Sequence, residues 1–225
     1  MLSDSMEDYL KAIYILQTET DRTVSTSDLA AYIGVQPPTA TSMIKKLADH
    51  SLVEHEPYHG VQLTKTGEPI ALEVIRHHRL LERYLAEHLE YDWSEVHEEA
   101  DRLEHHISDQ FAERLTEILD EPTTDPHGDP IPGPELTVPD MDQSRRLVEY
   151  AVGDRVLVTR VSDQDKETLS YLSKTGINPG TQATIIEIAP FGMITLQLND
   201  HTEFVSFPKE VARSIRVRPV REETV

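Results

Sequence analysis

Apolar residues recur at helical spacing over residues 5–19, where Met6, Tyr9, Leu10, Ile13, Ile15 and Leu16 follow Ser5, a residue suited to cap a helix start. A second, short helix is predicted over SDLAAYIG, with Thr26 and Ser27 as candidate caps and Gly34 as its terminator. A third follows in PTATSMIKKLADHS, opened by Gln36, Pro37 and Pro38, because proline fits a first helical turn whose N–H groups have no partner anyway. Helix, glycine-containing turn and helix make a helix-turn-helix. The runs LVEHE and VQLT flank PYHG and predict a β-hairpin, the wing of a winged helix. One long helix is predicted from about Lys65 to Glu90, then a helix behind Ser94 and another behind Ser108, with Asp120 ending the helical part. Residues 121–140 are dense in Pro, Gly and Asp and read as an ordered loop or linker. The short alternating runs beyond it, among them DRVLVTRV, QATIIEI and MITLQL, predict a small β-barrel.

The chain is therefore read as an α+β multidomain protein. The predicted parts are a winged helix-turn-helix over 1–65, a helical domain over 66–120, a Pro/Gly-rich linker over 121–147 and a C-terminal β-domain over 148–220. The opening residues lack a basic and an apolar signal region, and no apolar run approaches membrane-spanning length, which predicts a cytoplasmic protein with no membrane partner. With no cysteine, disulfides, thiolate ligands and cysteine nucleophiles are excluded, so a bound metal would rest on His and carboxylates. The formal net charge of -20 sits awkwardly with a nucleic-acid partner, since DNA-binding proteins usually carry a basic footprint. An acidic surface of this size suits a halophile, where salt screens self-repulsion.

The segment HEEADRLEHH places Asp101, Glu104 and His105 at i, i+3 and i+4 on one helical face, with His97 one turn earlier. On the long helix His78 and Glu82 form a second pair at i, i+4. Two helices offering imidazole and carboxylate to each other is how helical proteins build divalent-metal sites. Spacing alone leaves a solvated acidic face equally open. Asp8 also reads as the partner of Ser5 in a capping box. In the third helix Gln36, Pro38, Thr39, Thr41 and Ser42 are placed to touch bases or phosphates, and Lys45 and Lys46 to meet the phosphate backbone.

Taken together, SMEDYLKAIY, QPPTATSMIKKL, VIRHHRLLERYL, VHEEADRLEHHISD and DPHGDPIPG resemble the diphtheria-toxin-repressor and manganese-regulator family of metal-dependent repressors over nearly the whole chain. The resemblance implies a primary metal site of Asp8, Asp101, Glu104 and His105, and an ancillary site of His78, Glu82 and His97, so up to two metal sites per subunit. It further implies an SH3-like (FeoA-like) C-terminal barrel that adds Asp165, or Glu167 or Thr168, to the second site. Acids at positions 8 and 101 resemble the manganese members, whereas the SH3-like extension resembles the iron-sensing ones, so Mn(II) and Fe(II) both stand. Lys11 occupies the place of a glutamate in manganese members, which departs from a closely spaced two-metal pattern. The implied function is a homodimeric repressor, not an enzyme, whose bound metal fixes two reading heads on a palindromic double-stranded operator that controls metal-homeostasis genes. Two other readings compete: a metallohydrolase, disfavoured because no H-E-x-x-H or nucleophile elbow occurs, and a winged-helix protein with an organic effector.

Overall fold

The computed structural model describes residues 2–20, 23–56, 59–139, 144–162, 166–198 and 204–220. They fall into two units, the first made of Met1–His78, Arg102–Glu113 and Pro132–Thr137, the second of Arg79–Asp101, Arg114–Ile131 and Val138–Val225.

In the first unit, α1 (Asp4–Thr20) buries Met6, Tyr9, Leu10 and Ile13, the stripe its periodicity predicts. The short α2 (Thr26–Ile33) is capped by Ser25 rather than Thr26 or Ser27: the Ser25 side chain accepts from the Asp28 N–H. Gly34 closes it at φ 75°, a left-handed turn that costs a residue with a Cβ more than glycine. The third helix, α3 (Pro37–Asp49), buries Ala40, Ile44 and Leu47 and leaves its opposite face outward. Its two fully buried large side chains, Ile44 and Leu47, each contribute about 1.5–3 kcal/mol of burial free energy. Strands β1 (Val53–Glu56) and β2 (Gly60–Leu63) pair antiparallel as the wing. An isolated bridge from Val24 to Val61 ties the wing to the segment before α2.

Helix α4 (Gly67–His88) contributes to both units, its residues up to His78 belonging to the first. Helices α5 (Val96–Leu103) and α6 (Asp109–Ile118) follow. Ser108 accepts from the Phe111 N–H and caps α6 as predicted, whereas Ser94 precedes α5 and donates its hydroxyl to Asp92. Asp120 and Glu121 both adopt positive φ, and the helical region ends there.

The second unit carries one antiparallel sheet of six strands. In chain order these are β3 (Arg145–Arg146), β4 (Arg155–Val161), β5 (Gln182–Ile188), β6 (Met193–Leu198), β7 (Phe204–Pro208) and β8 (Ile215–Pro219), arranged β3-β8-β4-β5-β6-β7. Helices α7 (Lys166–Lys174) and α8 (Lys209–Ser214) and a short turn of 3-10 helix accompany it. Inward residues alternate along the strands, and Val156, Val158, Ile185, Leu196, Phe207 and Val217 join Leu169 and Leu172 of α7 in one core. The barrel expected from strand spacing is not closed: among the described residues β3 and β7 are edges that do not pair with each other. Among the described residues no helix is long and apolar enough to cross a membrane.

Candidate metal centres and nucleic-acid interface

The first cluster lies in the first unit, between α1 and the turn that ends α5. Glu104 and His105 follow directly on Leu103, so α5 delivers them to the start of a turn rather than along its own surface. His105 Nε2 is 2.8 Å from Asp8 Oδ1 and 3.4 Å from Glu104 Oε1, while its Nδ1 is 2.8 Å from Glu7 Oε2. One ligand atom from each of Asp8, Glu104 and His105 lies within 4.8 Å of the other two. The expected cap at Ser5 and its capping box with Asp8 are not formed: α1 already begins at Asp4, which puts Ser5 inside the helix, and Asp8 serves this cluster instead.

Charge compensation inside this cluster is crowded. The ammonium of Lys11 reaches Glu104 Oε1 at 3.0 Å and Oε2 at 2.7 Å, and lies 3.0 Å from His78 Nδ1. That same Nδ1 is hydrogen-bonded to Glu104 Oε2. A carboxylate can only accept, so Nδ1 donates there, and two cationic or donor groups converge on one buried acid. Burial by itself would raise the Glu104 pKa, but the His78 hydrogen bond and charge together with Lys11 outweigh it and hold the group below the usual carboxylate range. For Asp8 burial wins and the pKa is raised, even though His105 and Lys11 pull it down. Burial would lower His105, yet the hydrogen bonds to Glu7 and Asp8 and the nearby carboxylate charges raise it. Carboxylates gathered around a raised imidazole and a captured ammonium form a place that draws positive charge.

A second cluster lies in the second unit, where Glu82 of α4 is 3.0 Å from His97 Nδ1 through one oxygen and 3.8 Å from His127 Nδ1 through the other. Ligand atoms of Glu82, Asp125 and His127 lie within 4.8 Å of one another, and all three residues are buried. His127 Nε2 donates to the Trp93 carbonyl at 2.9 Å, which holds the ring and turns Nδ1 toward Glu82. The rings of Trp93 and His127 lie 4.9 Å apart between centroids, tilted by 32°. Asp125 Oδ1 accepts from the backbone N–H groups of His127 and Asp129, and its other oxygen is 3.7 Å from Arg79 Nε. Burial, then the charges of Glu82 and Asp129, push the Asp125 carboxyl up to about 8. Burial opposes the charged form of His127, but its hydrogen bond to Glu82 and the charges of Glu82 and Asp125 push it up to about 9.

The loop holding Asp125 and His127 is seated on β4. The His127 carbonyl accepts from Val161 N–H at 2.9 Å, Asp129 takes Arg160 at 2.9 Å, and Arg79 donates to the Pro130 carbonyl. Gly128 sits at φ +88°, and a Cβ there would stand 2.1 Å from the Thr159 carbonyl oxygen, so only glycine permits this approach. Residues 121–131, which composition marks as loop or linker, thus supply two acid-base groups to a buried centre.

Of the sequence-predicted ligands, Asp8, Glu104 and His105 converge in the first unit, with His78 bound to Glu104. Glu82 and His97 meet in the second unit, where Asp101 lies 3.5 Å from His97 Nε2. Asp165 lies outside the described residues, while Glu167 and Thr168 are in the first turn of α7. Sequence reasoning missed Asp125 and His127, whose signal was a histidine between two aspartates in DPHGD, and Glu7, which orients His105.

The exposed side of α3 presents Gln36, Pro38, Thr39, Ser42, Lys45 and Lys46, the residues predicted to face DNA. Thr41 is half-buried and donates to the Pro37 carbonyl.

A winged helix followed by helices that carry two His-carboxylate clusters defines a metal-responsive DNA-binding protein class. The chain belongs to the iron-dependent repressor family. Residues 1–61 match "Iron dependent repressor, N-terminal DNA binding domain", residues 64–133 "Iron dependent repressor, metal binding and dimerisation domain", and residues 145–219 the "FeoA domain". The iron-dependent repressor IdeR of Mycobacterium tuberculosis is 34% identical over 230 residues, covering 97% of this chain and 99% of that protein. Among solved structures, a manganese-dependent transcriptional repressor in complex with manganese superposes with a TM-score of 0.89 at 39% identity, covering 96% of this chain and all of that one. The manganese regulator SloR superposes at 0.79 with 32% identity, covering 96% and 98%. These relatives are repressors rather than enzymes.

Proposed function

We propose that this protein is a metal-dependent transcriptional repressor for which Mn(II) or Fe(II) is the corepressor, acting on metal-homeostasis genes. The observation that carries the reading is the meeting of Asp8, from the first helix of the winged-helix domain, with Glu104 and His105 of the helical domain. The donor set fits the group. Hard carboxylate oxygens with imidazole suit Mn(II) and Fe(II), and the far nitrogen of His127 already donates to a carbonyl, the support a metal-ligating histidine has, so that a metal would displace only the proton on Nδ1.

Asp8, Glu104 and His105 would hold one ion, with Glu7 orienting His105. Glu82, His97, Asp125 and His127 would hold another. A bound divalent cation supplies the positive charge that Lys11, His78 and extra protons otherwise provide. Asp8–His105, Glu7–His105 and Lys11–Glu104 all join α1 to the end of α5, so loading this cluster and setting the recognition helix for DNA are reciprocally coupled. α3 reads the major groove through Gln36, Pro38, Thr39, Thr41 and Ser42, and Lys45 and Lys46 meet phosphate. The protein acts in the cytoplasm as a homodimer on a palindromic operator, whose half-sites are spaced about 34–36 Å or a multiple for successive major grooves. The -20 net charge supports work at high internal salt, with stability rising as salt is added.

The test is operator binding at a fixed high salt concentration, with Mn(II), anaerobic Fe(II) or Zn(II) titrated and chelator added last. Binding switched on by Mn(II) or Fe(II) and reversed by chelator is expected. Binding indifferent to metal overturns the corepressor role and leaves a winged-helix protein with another effector.

A further inference from the structure

A third group of metal-ligand type lies in the first unit, apart from both clusters. Glu73 and His77 stand at i and i+4 on α4, and Asp109 opens α6. One ligand atom from each lies within 4.8 Å of the other two.

Three features separate this group from ordinary surface charge. First, His77 is only 8% exposed, whereas Glu73 and Asp109 face solvent, so an imidazole at the base is rimmed by two carboxylates. Second, His77 Nδ1 is 3.3 Å from the Glu104 carbonyl oxygen. A carbonyl only accepts, so Nδ1 carries the proton and Nε2 keeps the lone pair a metal would use. This carbonyl-anchored imidazole is the support that metal-ligating histidines have. Third, an oxygen of Glu73 and one of Asp109 lie within 4.8 Å of each other and of the imidazole, so two negative groups share a space whose charge a cation would neutralise.

We propose that Glu73, His77 and Asp109 form a third divalent-metal site, which takes a first-row transition ion through His77 Nε2 and one oxygen of each carboxylate. With three protein ligands the remaining positions are left to water. Two of the ligands are solvent-exposed, so this site fills last. Its backbone link runs to Glu104, whose side chain belongs to the first cluster, so occupancy here reports to that cluster through the His77–Glu104 hydrogen bond.

The experiment uses the full chain. Equilibrium dialysis against Mn(II), and separately Zn(II), followed by metal analysis, compares the wild type with a Glu73→Gln/Asp109→Asn double variant and with His77→Gln. The variants are expected to bind one ion fewer per chain at saturating metal, with unchanged circular dichroism. With Zn(II), the 15N resonance of His77 Nε2 is expected to move only in the last step of the titration. Equal stoichiometry in the wild type and in whichever variant folds, or a His77 Nε2 resonance indifferent to Zn(II), overturns the third site. Those results would leave metal-dependent operator binding untouched, whereas loss of that dependence alone would count against the corepressor reading and not against this site.

Discussion

The first and second clusters solve one electrostatic problem in two ways. Around Glu104 the chain brings its own cation, the Lys11 ammonium at 2.7 Å, with His78 beside it, and the carboxylate stays ionised. Around Asp125 burial is more severe and Arg79 stands off at 3.7 Å, so the cluster keeps protons instead, with Asp125 up to about 8 and His127 up to about 9. A metal ion arriving at the first cluster competes with a tethered ammonium. One arriving at the second competes with protons. The two centres should therefore answer to different variables, lysine chemistry in one case and pH in the other.

The sharpest way to break this comparison is to remove the oxygen donors of one cluster. Asp8→Asn and Glu104→Gln should each abolish metal-dependent operator binding, a loss beyond the roughly 10–100-fold typical of supporting residues. Mn(II) binding at the second cluster should persist, as metal analysis of the purified variants will tell. His127→Ala is the mirror experiment: one ion lost from the second cluster, the first still loading. If either substitution empties both clusters equally, the two are not separate centres.

Lys11→Met tests the tethered cation. With the ammonium gone, Glu104 loses its tethered cation and keeps His78, and Mn(II) affinity at the first cluster should rise on the order of tenfold, about 1.4 kcal/mol. Unchanged or weaker binding by calorimetry would show that Lys11 supports the site rather than competing for it. Gly128→Ala should destabilise the second unit by about 2 kcal/mol or more, because the new Cβ meets the Thr159 carbonyl at 2.1 Å and φ is +88°. Thermal melts of the metal-free chain check it.

The pH dependence of stability separates the two clusters as well. Asp125 and His127 have folded values of about 8 and about 9 against ordinary values of 3.8 and 6.5. Both are raised, so the folded metal-free protein holds protons that the unfolded chain releases. Its stability falls as pH rises, with the two contributions overlapping between 6.5 and 8. Each proton is worth up to about 1.4 kcal/mol per pH unit. Denaturant melts across this window should show the decline in the wild type and a shallower one in His127→Ala, while metal loading should release protons.

The winged helix was legible because each of its elements follows one rule. Ala40, Ile44 and Leu47 recur at helical spacing, and Gly34 ends α2 where a left-handed residue is required. The exact cap was not legible, since Ser25, Thr26 and Ser27 are all competent and backbone geometry alone selects Ser25. Glu104 and His105 stood out by their spacing, and Glu82 with His78 as an i, i+4 pair. Asp125 and His127 did not, because a Pro/Gly-rich segment has no periodicity and its ligands are aimed by particular contacts, His127 by the Trp93 carbonyl and Asp125 by the N–H groups of His127 and Asp129, in a loop that Gly128 lets approach Thr159. Lys11 could be noticed only as a departure from a family pattern. Its hold on Glu104 needs the distance between α1 and the end of α5, which no local rule supplies.

The seating of the Asp125–Asp129 loop on β4 bears on inheritance. Two candidate ligands live in the segment between helical and sheet domains, and the Thr159–Val161 stretch gives that segment its shape. A descendant that shed the C-terminal sheet would not lose a detachable appendage. It would lose the mould in which half of its second centre is cast, and the deletion of a domain and the retirement of a metal site would be a single event.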